Sequence, residues 1–338
     1  MTMDRKVRWG ILGCASIAGK ALIPAIIGSR NGVLHSIASR DADRASEWAA
    51  KFGFTRSHRD YLSLVEDPEV DAVYNPLPND LHAEWSIRAA RAGKHVLCEK
   101  PMAMNAAEVR DMIAAAEGSG VLLMEAFMYR FHPQIDQALE LVRSGAVGEV
   151  RSVKSSFTFQ FALGGENYRW FPGMGGGALY DVGCYTISAA RLVFADEPLT
   201  VFARARLDPG TGVDMTTAVL LEFPGGRFAM CDCSFESHFQ SRLLAVGTEG
   251  TLYLDRAFSA KDFEARVQII RGERSEALAV PQADMFALMV EHFGDGVLAG
   301  TPLRYPASDA EKNMLAIDAA IDSIRTGHPV KVRPGEPA

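Results

Sequence analysis

The chain has 338 residues, and its 35 Lys and Arg against 42 Asp and Glu leave a formal charge of −7. No excess of positive charge is available for phosphate backbones, so nucleic acid is excluded as an expected partner. Hydrophobic residues at 48 % and charged residues at 23 % fit a folded chain, no apolar run reaches the roughly 18 residues of a membrane span, and the length predicts two domains.

Met1-Thr2-Met3-Asp4-Arg5-Lys6 runs directly into apolar Val7–Leu12, with no leader and cleavage site between. From there to residue 127, short apolar runs at Val7–Leu12, Val33–Ala38, Ala72–Tyr74, His95–Cys98 and Val121–Met124 alternate with helical patterns at Ile17–Ile27, Asp43–Phe52, Leu81–Ala92 and Ala106–Glu117. Gly28, Gly53, Gly93 and Gly118 read as helix stops. This alternation predicts a doubly wound parallel sheet, a Rossmann domain spanning 1–127.

The second half, 128–338, reads as an α+β domain for substrate binding and oligomerisation. After a helix at Pro133–Val142, extended runs are predicted at Val153–Phe161, Leu199–Leu207, Thr217–Phe223, Arg227–Ser237, Ser241–Val246, Thr251–Leu254 and Val267–Arg271. Helices are predicted at Leu179–Phe194 and Asp309–Arg325. The natural arrangement is a predominantly antiparallel, open-faced sheet with helices on one face, leaving the other to pair with a second subunit.

Four stretches carry chemistry. The first strand opens into Gly13-x-Ala15-x-x-Ala18, a variant dinucleotide fingerprint: Gly13 makes the turn, Ala18 allows close packing, and the helix start with Ser16 and Ile17 faces a pyrophosphate. Ala15 replaces the middle glycine. After the second strand, Ser39 and Arg40 suit a 2′-phosphate and favour NADP; the alternative is that Arg40 is a solvated loop residue and Asp41 takes the ribose of NAD. The fourth strand delivers Glu99-Lys100-Pro101, with Lys100 placed to hold a substrate oxygen or lower the pKa of a nearby hydroxyl. Finally, Gly175–Tyr185 runs from glycines into a helix with Asp181 and Tyr185 four apart on one face; the alternative is an interior cap and a core tyrosine.

Arg130, His132, Arg169 and Trp170 could each line a polyol pocket or be structural. The five scattered cysteines fit reduced thiols and a cytoplasmic protein, and Cys231-Asp232-Cys233 lacks the further ligands of a metal site, so no metal is expected.

Together Gly10–Ala18, Asn75-Pro76-Leu77-Pro78-Asn79 with His82, Glu99-Lys100-Pro101, Glu125–Pro133 and Gly175–Tyr185 resemble the glucose–fructose oxidoreductase and inositol dehydrogenase (Gfo/Idh/MocA) family over nearly the whole chain. Tyr185, where most members carry histidine, is similar to the branch of dimeric dihydrodiol dehydrogenases and NADP-dependent D-xylose dehydrogenases. The resemblance implies an oxidoreductase with exchangeable NADP, acting on a sugar or vicinal diol and assembled as a homodimer or homotetramer. It implies that Lys100 and Tyr185 form the catalytic pair, that Asp181 positions substrate, and that Pro76, Leu77, Asn79, His82 and Glu99 join the cofactor site. The expected reaction is hydride transfer with Tyr185 as acid/base; a nucleotide-sugar ketoreductase and a non-catalytic dinucleotide sensor are the alternatives.

Overall fold

A computed structural model of the chain describes residues 5–161, 167–260 and 264–333. Residues 1–4, on which the reading of the leader partly rests, lie outside the described residues. The chain divides into two units, Met1–Met128 with Asp284–Glu311 and Tyr129–Ala283 with Lys312–Ala338. The sequence assigns all of 128–338 to one substrate half; Asp284–Glu311 instead group with the first unit.

In the first unit, Val7–Leu12 (β1), Gly32–Ala38 (β2), Arg56–His58 (β3), Ala72–Asn75 (β4), His95–Cys98 (β5) and Leu123–Glu125 (β6) pair in parallel, in the order β3-β2-β1-β4-β5-β6. This is the doubly wound order, whose direction reverses beside β1 and β4, so ligands are received at the carboxyl ends of those strands. β1 and β4 are hydrophobic runs because both sheet faces are covered. β3 has two exposed residues and one half-buried one, and it gave no apolar signal.

The first predicted helix is broken. A π-helical turn at Ala18–Leu22 precedes the α-helix Ile23–Gly28, where Pro24 has no N–H to continue the i→i−4 ladder. Gly53 and Gly93 have the left-handed φ of helix stops, whereas Gly28 and Gly118 do not: Ser29 ends one helix and Gly120 the other. A helix at Met285–Ala299, absent from the sequence reading, also belongs here, with Phe293 5.6 Å from Trp9 between ring centres.

In the second unit, Val150–Gln160 (β7), Thr200–Leu207 (β8), Asp214–Phe223 (β9), Arg227–Ser234 (β10), Glu236–Gly247 (β11), Thr251–Leu254 (β12), Arg266–Arg271 (β13), Arg274–Ala279 (β14) and Val330–Lys331 (β15) form one sheet in the order β14-β13-β12-β11-β7-β10-β9-β8-β15. Of its pairings only β7 with β10 is parallel. The predicted run Arg227–Ser237 is two strands, separated at Phe235. The helix Cys184–Phe194 packs on this sheet, preceded by a π-helical turn at Leu179–Gly183 where the sequence suggested one regular helix. On β9 and β10, burial alternates, leaving Leu220, Phe228 and Met230 about 40 % exposed.

Candidate active site

At the end of β1 the chain turns at Gly13, whose φ of +81° favours glycine, and a Cβ there would press on Leu77 at 3.0 Å. The Gly13 N–H donates to the Ala38 carbonyl at 2.8 Å, tying this turn to the end of β2. Ala18 is fully buried, Ala15 half-buried, and Ser16 and Ile17 are exposed in the first helical turn. The first amides of a helix have no intrahelical acceptor, so this turn presents donors and a positive dipole to an anion.

The turn after β2 settles what its side chains are free to do. Ser39 is buried, and its Oγ accepts from the Asp41 N–H at 3.1 Å. The Asp41 carboxylate caps the helix Ala42–Phe52 by accepting from the Arg44 N–H, also at 3.1 Å. That engages one oxygen of Asp41, while Arg40 stays exposed. Two neighbours that the sequence reading missed complete the corner. Arg44 donates to the Cys14 carbonyl at 2.9 Å, and the Tyr61 hydroxyl meets Arg40. Burial raises the Tyr61 pKa and the charge of Arg40 opposes it. Arg44 lies in the first turn of the helix Ala42–Phe52, four residues after Arg40.

The loop after β4 and the turn after β5 are fastened together by buried polar groups. Asn75, fully buried, donates to the His82 carbonyl and to Ser86 Oγ, each at 3.1 Å. The His82 ring has no exposed surface; its Nε2 lies 2.8 Å from the Leu77 carbonyl oxygen and its Nδ1 3.0 Å from that of Pro101. Burial pulls the imidazole down to about 4, with Lys100 adding to the effect and the two carbonyls resisting it. Both ring nitrogens therefore face main-chain carbonyls, and the neutral ring, which has a single N–H, donates to one of them and fastens this corner as a clasp. Glu99 is similarly engaged, accepting from the Tyr74 hydroxyl at 2.6 Å and from the Lys100 N–H at 3.3 Å. Pro76, Leu77 and Asn79 are buried in the loop, and Lys100 is half-buried beside the clasp.

In the second unit Asp181 and Tyr185 share one helical face, as the spacing predicts. Asp181 is buried and accepts from Arg169 at both oxygens, from Nε at 2.8 Å and from a terminal nitrogen at 2.9 Å. Burial disfavours the Arg169 charge, yet the Asp181 carboxylate more than restores it and raises the guanidinium pKa. Tyr185 also acts electrostatically on Arg169. The Tyr185 ring is 4 % exposed and sits against Phe157, Tyr129 and Phe258 at 5.3, 5.6 and 5.7 Å, so the aromatic body is core.

The start of this helix is held by a residue that sequence reasoning missed. Asp214, half-buried at the start of β9, accepts from the Leu179 N–H at 2.8 Å and from the Thr217 hydroxyl at 2.6 Å, and desolvation raises its carboxyl pKa. Gly177, at a φ of +104°, lies so close that a side chain would overlap the Asp214 carboxylate.

The remaining candidates make contacts within the second unit. Arg130 is 3 % exposed and donates to Ser188 Oγ at 2.7 and 3.2 Å. The buried His132 caps Pro133–Arg143 by accepting from the Gln134 N–H at Nδ1. Trp170 is buried against Phe161 and Phe235. Among the described residues no group of three or more His, Cys, Asp or Glu could hold a metal ion, all five cysteines are free and buried, and no helix is long and apolar enough to cross a membrane.

Residues 7–127 match the oxidoreductase family with an NAD-binding Rossmann fold, and residues 135–253 match the GFO/IDH/MocA C-terminal domain. The chain belongs to the Gfo/Idh/MocA family. It is 38 % identical to a D-xylose 1-dehydrogenase (NADP(+)) of Haloferax volcanii, covering 96 % of this chain and 99 % of that protein. It is 33 % identical to the trans-1,2-dihydrobenzene-1,2-diol dehydrogenase of Mus musculus, over 80 % of this chain and 79 % of that one. A 3-ketoreductase from Actinomadura kijaniata, solved with NADP and TDP-benzene, superposes with a TM-score of 0.90 at 34 % identity, covering 94 % of this chain and 98 % of the other. This chain is accordingly an oxidoreductase, and the branch that its tyrosine suggested is among its relatives.

Proposed function

We propose that this protein is an NADP-dependent oxidoreductase that transfers hydride between the nicotinamide and a hydroxyl or carbonyl carbon of a sugar or vicinal diol. The observation that carries the reading is the turn after β2: exposed Arg40 and Ser39 stand ready for a 2′-phosphate, and one oxygen of Asp41, the carboxylate that NAD would need, is engaged in capping a helix. The residues fit a dinucleotide: Gly13 makes the close turn, Ser16 and Ile17 offer amides to the pyrophosphate, and Arg44 adds a second cation. The D-xylose dehydrogenase, named for NADP(+), and the ketoreductase solved with NADP support the same cofactor.

When bound, the nicotinamide supplies the hydride chemistry. Tyr185 then takes the substrate hydroxyl proton at its phenol oxygen in oxidation and returns it in reduction, with Lys100 lowering the cost of tyrosinate. The aromatic packing around its ring fixes the direction of that hydroxyl. Asp181 holds Arg169, and through it the substrate end of the helix face.

A nucleotide-sugar ketoreductase is the second reading, favoured by the likeness to the 3-ketoreductase. The two separate on nucleotide binding, since only the second requires affinity for a dTDP group. We also propose a homodimer or homotetramer formed through the face that exposes Leu220, Phe228 and Met230. The function is tested by following NADP⁺ reduction with D-xylose, other aldoses, polyols and trans-dihydrodiols. Turnover of at least one class is expected, and silence on all of them, with NADPH bound, would overturn the reading.

A further inference from the structure

We infer that the Arg169–Asp181 pair is a specificity element: it gives the substrate half hydrogen-bond donors without net charge, so that neutral hydroxyl groups are accepted and anionic substrates are rejected. The inference rests on the proposed sugar or diol chemistry and names which members of that class can enter.

Arginine carries five N–H donors in a fixed plane. Asp181 takes one from Nε and one from a terminal nitrogen, in the side-by-side geometry that pairs guanidinium and carboxylate most strongly. The other terminal nitrogen makes no hydrogen bond among the described residues. The Arg169 side chain keeps 25 % of its surface exposed, whereas that of Asp181 keeps 6 %. The guanidinium is held on its faces by Tyr168 and Phe161, at 4.8 and 5.6 Å from the ring centres. Its orientation is therefore set before any ligand arrives, and its carbonyl is fixed by the Gly177 N–H at 3.0 Å.

The remaining arginine donor suits a sugar hydroxyl or ether oxygen. A bare arginine would also attract carboxylates and phosphates, but here the arginine charge is already cancelled by a carboxylate in contact. An incoming anion would meet the Asp181 charge close behind the guanidinium and lose the gain. Tyr185, which shares the helical face of Asp181 and interacts electrostatically with Arg169, places this pair beside the proposed proton carrier.

The test compares D-glucose with D-glucuronate, which differ in one carboxylate, by ligand-observed NMR titration of the NADP⁺-supplemented protein. In the unsubstituted protein glucuronate should bind at least tenfold more weakly than glucose. Asp181→Asn keeps an acceptor for Arg169 but removes the cancelling charge, and glucuronate affinity should rise at least tenfold. Arg169→Gln should lose glucose affinity at least tenfold and gain none for glucuronate, which decides the matter even where Asp181→Asn does not fold. Unchanged glucuronate affinity in folded Asp181→Asn, or unchanged glucose affinity in Arg169→Gln, overturns the inference. Binding of neither sugar by any form overturns the sugar reading itself, whereas glucose binding with unchanged glucuronate affinity overturns only the charge-cancelling role.

Discussion

Arg40→Ala should convert a cofactor preference into near-indifference. Arg40 is exposed and its partner would be the 2′-phosphate, a group that NADPH has and NADH lacks. A hydrogen bond to a charged group contributes about 1.5 to 3 kcal/mol, or roughly 10- to 150-fold in affinity. Exposure and physiological salt screen the pair, which argues for the low end, about 10- to 30-fold. Ser39 and Arg44 remain in the variant, so NADPH binding should weaken without vanishing. NADH should stay within about twofold, because it has no 2′-phosphate for Arg40 to meet. Calorimetric titration of both cofactors reads this directly, and the NADPH loss should shrink as ionic strength rises. Equal losses for the two cofactors, or none for NADPH, would refute the assignment of this turn to the 2′-phosphate.

Further outcomes follow from the buried clasp and from the helix start. The His82 imidazole is pulled from its ordinary 6.5 to about 4, so the unfolded chain binds the extra proton between those values. Stability from this group is thus present above pH 6.5 and lost as pH falls toward 4, up to about 3 kcal/mol. Denaturant unfolding across that range should show His82→Gln with a shallower acid loss than the parent; parallel curves would count against the clasp. Gly177→Ala forces an unfavourable φ and overlaps the Asp214 carboxylate. It should cost at least about 2 kcal/mol, and a substitution neutral in urea unfolding would show that the glycine is dispensable.

What the sequence made legible depended on whether a signal was apolar. The runs at β1 and β5 stand out because both are bordered by turns and buried on both faces, and their predicted limits coincide with the observed strands. β3 is exposed and its helix Tyr61–Val65 is a single turn, so neither leaves a periodic trace, although Tyr61 then supplies a neighbour to Arg40. The helix Met285–Ala299 is so evenly apolar that no face is marked. Its Gly294 and Gly296 are points of close approach, where a Cβ would meet Asn31 and Leu122 at 2.7 and 2.9 Å.

Within the site, residue types announced Gly13, Arg40, Lys100, Asp181 and Tyr185. Partnership was not legible: that Asp41 is a cap, that His82 lies between two carbonyls and that Asp181 is held by Arg169 all depend on contacts distant in the chain or on rotamers. Asp214 was invisible for the same reason, since its hold on the helix start is a hydrogen bond to a residue 35 positions away.

The account stands most directly on Tyr185→Phe. The ring packing against Phe157 and Phe258 is kept by phenylalanine, so the fold and NADPH affinity should be unchanged within about twofold while only the proton carrier is lost. A positioned acid or base contributes about 10²- to 10⁴-fold. Turnover of the best substrate should fall by that range with NADPH binding retained; near-parental turnover would contradict the assignment of Tyr185 as the group that moves the proton.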